Sequence, residues 1–155
     1  MDDFMPTVNE QQLLAMADDF IQTAGSRNSA LEGVVGLLHS NYRHFSWTGI
    51  YVLDNGELKL GPYRGDPTPH TKIPLEKGIC GAAVRERKTI IVPDVAMDNR
   101  YLACSTTTRS EIVVPIFKGD NIVGEIDIDS DLPDAFADRD RQILELVATR
   151  LSEIF

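Results

Sequence analysis

Two thiols and a row of carboxylates are the residues of this 155-residue sequence best suited to chemistry. In Gly124-Glu125-Ile126-Asp127-Ile128-Asp129-Ser130, acid and isoleucine alternate strictly. A strand sends successive side chains to opposite faces, so Glu125, Asp127 and Asp129 share one face and Ile126 and Ile128 the other. Glu111 opens the preceding strand-like run and can add a fourth carboxylate. Crowded carboxylates raise one another's pKa, and an acid held neutral can donate a proton. Such a row fits a site for a cationic group such as an amine. It equally fits a solvated outer face, because acidic edge strands are common.

The thiols carry a similar pair of readings. Cys80 lies between Gly78 and Gly81 at an expected helix start, where the helix dipole favours thiolate. As a small buried apolar residue it would be inert. Cys104 sits in a polar segment with Arg100 and Arg109 nearby, which could also favour thiolate. Trp47, Tyr51 and Tyr63 fall on expected strands, where aromatic residues serve as packing or as the wall of a ligand site.

The elements that must position these groups follow from hydrophobic period. Leu13, Leu14, Ala17, Phe20 and Ile21 mark a helix over about Asn9 to Ala24. A second helix is expected from an N-cap at Asn28 or Ser29, burying Leu31, Val34, Val35, Leu37 and Leu38. Trp47 to Leu53 and Glu57 to Tyr63 form a hairpin about Asp54-Asn55-Gly56. Short extended pieces are expected at His70 to Pro74 and Thr89 to Val92, with a Gly-bounded loop entering a short helix over Gly78 to Arg85 between them. Ala96 to Ser110 is a long polar loop or small helix. A second hairpin, Glu111 to Phe117 and Asn121 to Asp129, turns at Lys118-Gly119-Asp120-Asn121. A last helix runs from about Asp138 to Ile154. This order predicts a single α+β domain over residues 1–155, with 1–8 a loose lead-in. Its sheet is mostly antiparallel, the terminal helices cover one face and loops roof a pocket on the other.

Composition narrows the function classes. The net charge is −9 without a dense basic stretch, which argues against nucleic acid. No apolar run approaches the roughly 18 residues that span a bilayer, and the acidic N-terminus lacks a signal-peptide pattern. The cytoplasm is therefore the expected compartment, with both cysteines resting as thiols. Two cysteines without CxxC spacing make no four-ligand metal site unless His and acids join them, so neither metal nor cofactor is expected. Phosphate-cradling and nucleophile-elbow motifs are also absent from the sequence.

The segments WTGIYVL, LGPYRG, IPLEKGICGAAV, VPDV, YLACSTTTRSEIVVPIF and VGEIDIDSDLPDAF lie within a stretch from about Trp47 to Leu151. Together they resemble the free-methionine-(R)-sulfoxide reductases, which are stand-alone GAF domains. The resemblance implies a GAF-type fold with a closed pocket. In that pocket Glu111, Asp127 and Asp129 would bind the amino group of free methionine sulfoxide, with Trp47 and Tyr51 as the aromatic wall. Cys104 would be the nucleophile and Cys80 a second redox cysteine, recycled by a thioredoxin-like reductant. The sequence departs from the family at two positions: His70 replaces a third cysteine, and Arg64 stands where Gln is usual. These departures keep open a non-catalytic GAF module that senses or binds a small amino-acid-like ligand. Either function is compatible with a homodimer formed through the terminal helices.

Overall fold

The computed structural model describes residues 6–103 and 105–155. Among them are four α-helices: α1 (Glu10–Thr23), α2 (Arg27–Asn41), α3 (Gly78–Glu86) and α4 (Asp138–Leu151). Six strands form one sheet: β1 (Trp47–Asp54), β2 (Glu57–Arg64), β3 (Lys72–Pro74), β4 (Ile90–Val92), β5 (Ser110–Lys118) and β6 (Asn121–Ser130). Their order is β3-β2-β1-β6-β5-β4, and every pairing is antiparallel. The expected α+β architecture holds.

Turn chemistry sets the two long hairpins. Asn55 and Gly56 both take positive φ, 52° and 76°, as a two-residue primed turn between Asp54 and Glu57 requires. Gly119, at φ 62°, turns β5 into β6. The registers of β1, β6 and β5 then carry the alternation across three strands. Ile50 pairs with Ile126, Ile126 with Val114, and Ile128 with Ile112. These residues belong to one fully buried cluster with Leu13 and Ala17 of α1, Val34 and Leu38 of α2, and Ile143, Leu144, Val147 and Leu151 of α4. Each such aliphatic side chain contributes about 1.5–3 kcal/mol on burial. This cluster is the main core, and it fixes which side of β6 turns away from the terminal helices.

Two expectations about helices need correction. The N-cap of α2 is Ser26, not Asn28 or Ser29; its Oγ accepts the Ser29 amide at 3.1 Å, making Ser29 the third helical residue. The segment after Gly78 is helical from its first residue rather than a loop leading into a helix. Moreover, α3 lies on the sheet face opposite the terminal helices, so a helix as well as loops covers the pocket side. Its close seat depends on small residues. A Cβ at Gly81 would lie 2.6 Å from the Leu75 carbonyl oxygen, and Ala82 and Ala83 are fully buried.

Candidate functional site

Opposite the main core, the sheet carries a different set of side chains. Asp129 of β6 pairs with Trp47 of β1 and Glu111 of β5. Asp127 pairs with Gly49 and Val113, and Glu125 with Tyr51 and Pro115. The same alternation that sends the isoleucines into the core therefore stacks three acids on the central strand between aromatic and apolar neighbours. All four acids are buried: Glu111 5%, Glu125 0%, Asp127 5% and Asp129 2% exposed. The solvated-face reading of this strand is overturned. Packing α3 over it converts a polar strand face into a second buried cluster with Trp47, Tyr51, Ile79, Cys80 and Val113.

A cavity opens on this cluster, lined by Trp47, Tyr51, Ile73, Cys80, Glu111 and Asp127, with Leu102 and His70 among its remaining walls. Its free volume is about 20 Å³, room for roughly one water-sized group. A second cavity of about 120 Å³ adjoins it at Trp47 and Thr68 and is bordered by Asp129, Asp131 and Thr108. The aromatic wall is tied to the loop after β2. Trp47 Nε1 donates to the Asp66 carbonyl at 2.9 Å, and Tyr51 Oη donates to the His70 carbonyl at 2.7 Å. His70 Nε2 bonds the Ala103 carbonyl at 3.0 Å. His70 thus links this loop to the segment following the short 3₁₀ turn at Val95–Met97.

Position in the site dictates the electrostatics. Burial, then Asp127 and Asp129, push the Glu111 carboxyl well above its usual range; the three groups share hydrogen bonds. Burial is also the main cause that raises Asp127, while hydrogen bonds from Glu111 and Cys80 oppose it. Glu125 is raised strongly by burial, with the Cys80 thiol acting against the rise. Its interaction with that thiol is not a well-formed hydrogen bond at either Glu125 oxygen. Cys80 itself is pushed well above the usual thiol range by burial, and then by Asp127, Glu125 and Glu111. The expectation that the helix start would favour thiolate is therefore corrected. Cys80 does occupy the first turn of α3, but three buried carboxyls outweigh a partial helix charge.

The structure thus brings Cys80, Glu111, Asp127, Trp47, Tyr51 and His70 around one cavity, with Asp129 on its neighbour. Cys104 lies outside the described residues. Arg64 is not part of the site. It pairs with Thr48, on the opposite sheet face, and its guanidinium lies 3.6 Å from the position of a Cβ on Gly36 of α2. Arg100 engages Glu86 at 2.9 Å and Asp98 at 2.8 Å. Glu125 belongs to the acid row that the period-two alternation placed on one face, but not to the acids that the family resemblance implies as ammonium ligands; its contact with Cys80 depends on α3.

Glycine keeps Trp47 in place. A Cβ on Gly49 would lie 2.4 Å from Trp47 Cη2, and one on Gly65, whose φ is +116°, would lie 2.7 Å from Trp47 Cδ1. Between them the indole stacks on Tyr63, with centroids 5.6 Å apart. Gly49→Ala is expected to force the indole off this seat, with an overpacking cost of about 1–3 kcal/mol. Trp47 is the sole tryptophan, so a shift of its emission maximum reports the displacement directly. An unchanged spectrum with unchanged stability would refute this account of the wall.

The buried acids also set a pH dependence. Their folded-state pKa values are raised, so the native state binds more protons than the unfolded chain. The associated stability is fully present below the ordinary carboxyl range and is lost as pH rises through the folded values. Glu125→Gln removes one of these groups. It is expected to stabilise the protein by about 1–3 kcal/mol at pH 8 and to flatten the rise in stability on acidification. Chemical denaturation across pH 5–8 checks both effects.

A six-stranded antiparallel sheet with terminal helices on one face and a capped pocket on the other is the architecture of a GAF domain. The sequence model of the GAF domain family matches residues 26–154, and the chain belongs to that family. GAF domain-containing protein A of Dictyostelium discoideum is 36% identical over 135 residues, covering 86% of this chain and 84% of its own length. Free methionine-R-sulfoxide reductase of Escherichia coli is 32% identical over 126 residues, covering 81% and 76%. The reduced form of fRMsr of Staphylococcus aureus superposes with a TM-score of 0.89 at 38% identity over 99% of this chain and 98% of that one. The complex of the S. aureus protein with its substrate gives 0.86 over 96% and 97%.

Proposed function

We propose that this chain reduces free methionine-(R)-sulfoxide to methionine, using Cys104 as nucleophile and the acid cluster as the seat of the substrate's ammonium group. The observation that carries this reading is the burial of Glu111, Asp127 and Asp129 beside an apolar, aromatic-walled cavity. Among the described residues lining that cavity there is no Lys or Arg. Buried Glu111 and Asp127, on a cavity lining that carries no basic side chain among its described residues, suit a cationic ligand, and the thioether end of methionine suits Trp47, Tyr51, Ile73 and Leu102. The names of relatives at 32–38% identity point the same way.

In this mechanism the Cys104 thiolate attacks the sulfoxide sulfur while a neutral carboxyl, that of Glu111 being raised well above its usual range, protonates the oxygen. The sulfur–oxygen bond breaks, oxygen passes to Cys104 as a sulfenic acid, and methionine leaves. Cys80 condenses with the sulfenic acid, releasing water and leaving a disulfide, which a thioredoxin-like dithiol reduces with two electrons. The substrate is larger than the 20 Å³ cavity, so its entry requires the lining to give way, and the adjoining cavity of about 120 Å³ supplies neighbouring space. A homodimer in the cytoplasm belongs to this proposal. Exposed Met16 and Phe20 of α1 and Leu146 of α4 supply apolar surface for pairing, and sedimentation velocity tests it. Among the described residues no helix is long and apolar enough to cross a membrane.

One observation favours a binding module without turnover. His70, in place of a third thiol, is occupied by structural bonds, its carbonyl to Tyr51 and its ring to Ala103. Purified protein, free methionine-(R)-sulfoxide and a dithiol reductant separate the two readings by methionine release. No release, with ligand retained at the acid cluster, would favour the module and overturn the enzyme.

A further inference from the structure

The floor of the cavity combines donors that an ammonium ligand does not exhaust. Cys80 Sγ and one carboxylate oxygen each from Glu111 and Asp127 lie within 4.8 Å of one another. In four-coordinate zinc, metal–sulfur and metal–oxygen distances of about 2.3 and 2.0–2.2 Å place neighbouring donors roughly 3.3–3.8 Å apart. Closing that gap takes about 1 Å of side-chain adjustment around rigid elements. Asp127, 5% exposed and lining the cavity, leaves Oδ1 without a hydrogen-bond partner. Glu125 lies outside this group of three; fully buried, it interacts with the Cys80 thiol from behind the cavity lining.

We infer that Cys80, Glu111 and Asp127 form a site for a thiophilic divalent cation of the Zn²⁺ class, overlapping the position proposed for the ligand's ammonium group, with Glu125 as the supporting partner of the Cys80 sulfur. Helix α3 contributes the sulfur, β5 one oxygen and β6 another, so the donors come from three elements of one packed cluster. The mixed sulfur and oxygen set selects zinc or cobalt over magnesium or calcium, which take oxygen alone. An ammonium ion draws on the carboxylates only, whereas a divalent ion also converts the thiol into a ligand by displacing its proton. The free volume of about 20 Å³ already suits an ion. Sequence spacing could not show this site, because only the fold brings acids to a lone cysteine. The site does not depend on turnover, but its overlap with an amine does rest on the proposed function.

The test uses the reduced Cys104→Ser protein, in which Cys80 is the sole thiol. Titration with Co²⁺ is expected to give one bound equivalent and a thiolate-to-cobalt charge-transfer band, abolished by Zn²⁺. Adding Glu125→Gln is expected to keep the band and weaken affinity about tenfold or more, the loss seen when a supporting partner of a ligand is removed. Absence of the band in folded Cys104→Ser protein overturns the site. Unchanged affinity in the Glu125→Gln background removes Glu125 from it. Should Cys104→Ser not fold, X-ray absorption of zinc-loaded wild-type protein decides: a sulfur shell supports the site, and an all-oxygen or nitrogen shell overturns it. Free methionine-(R)-sulfoxide is expected to weaken Co²⁺ binding. Cobalt binding unaffected by it would sink the amine reading while leaving the metal site standing.

Discussion

Asp127→Asn is expected to lower kcat/KM for free methionine-(R)-sulfoxide by roughly 10²–10³-fold, mainly through KM. Removing one member of a buried, hydrogen-bonded charge pair costs about 2–5 kcal/mol in binding, and tenfold corresponds to about 1.4 kcal/mol. Asp127 has the central place in the cluster. It pairs across the sheet with Gly49, leaving its carboxyl open to the cavity, and it exchanges hydrogen bonds with Glu111 and Cys80. Asparagine keeps the shape and loses the charge, so the ammonium would meet a neutral amide in a dry site. The same logic fixes the pH profile. Asp127 holds its proton above the ordinary carboxyl range, and an ammonium ligand must displace it, while Glu111, raised further, keeps its proton for donation to the oxygen. Affinity is therefore expected to rise as pH increases through the raised Asp127 value and to fall on acidification. Steady-state kinetics across pH 5–8 check both features. A variant with KM within threefold of wild type, and the same pH profile, would rule out Asp127 as an ammonium ligand.

How far this site was legible in the sequence depends on which contact is considered. The alternation in β6 is a local property and put Glu125, Asp127 and Asp129 on one face without any tertiary information. It could not say whether that face meets water. The answer lies in α3, a nine-residue helix from a distant segment. Its seat depends on Gly81 and two alanines approaching the sheet and on the Leu75 carbonyl against which Gly81 packs. Those small residues were visible, but their partner was not. Cys80 shows the same limit. Its place near a helix start argued for thiolate, while its ionisation is governed by Asp127, Glu125 and Glu111, none of them a sequence neighbour. Arg64 illustrates a different failure. Its difference from the family pattern drew it into the candidate site, but strand pairing with Thr48 turns it toward α2. The hairpins and the main core were legible because glycine-containing turns and isoleucine alternation act within a few residues. The cap of α2 shifted to Ser26 because three serine or asparagine candidates lie within four positions, and only hydrogen bonding selects among them.

The two cysteines should separate cleanly in kinetics. Cys104→Ser is expected to lower turnover about 10³-fold or more, since a hydroxyl lacks both the nucleophilicity and the redox chemistry of a thiolate. Cys80→Ser is expected to release about one methionine per chain and then stall with thioredoxin as the reductant, while a small dithiol that reaches the sulfenic acid restores turnover. The assignment follows from the environment of Cys80. Burial and three neighbouring carboxyls hold its thiol protonated at rest, which makes it a poor first attacker. Its proton can leave more readily once an ammonium group neutralises those acids, because the Coulombic part of the shift then falls away while the part due to burial remains. Such a thiol suits the second step, condensation with a sulfenic acid, better than the first. Rapid-quench measurement of methionine release, with mass spectrometry of the oxidised protein, distinguishes the roles. A full burst from Cys104→Ser together with none from Cys80→Ser would reverse the assignment, and continued turnover by Cys80→Ser with thioredoxin would remove Cys80 from the cycle.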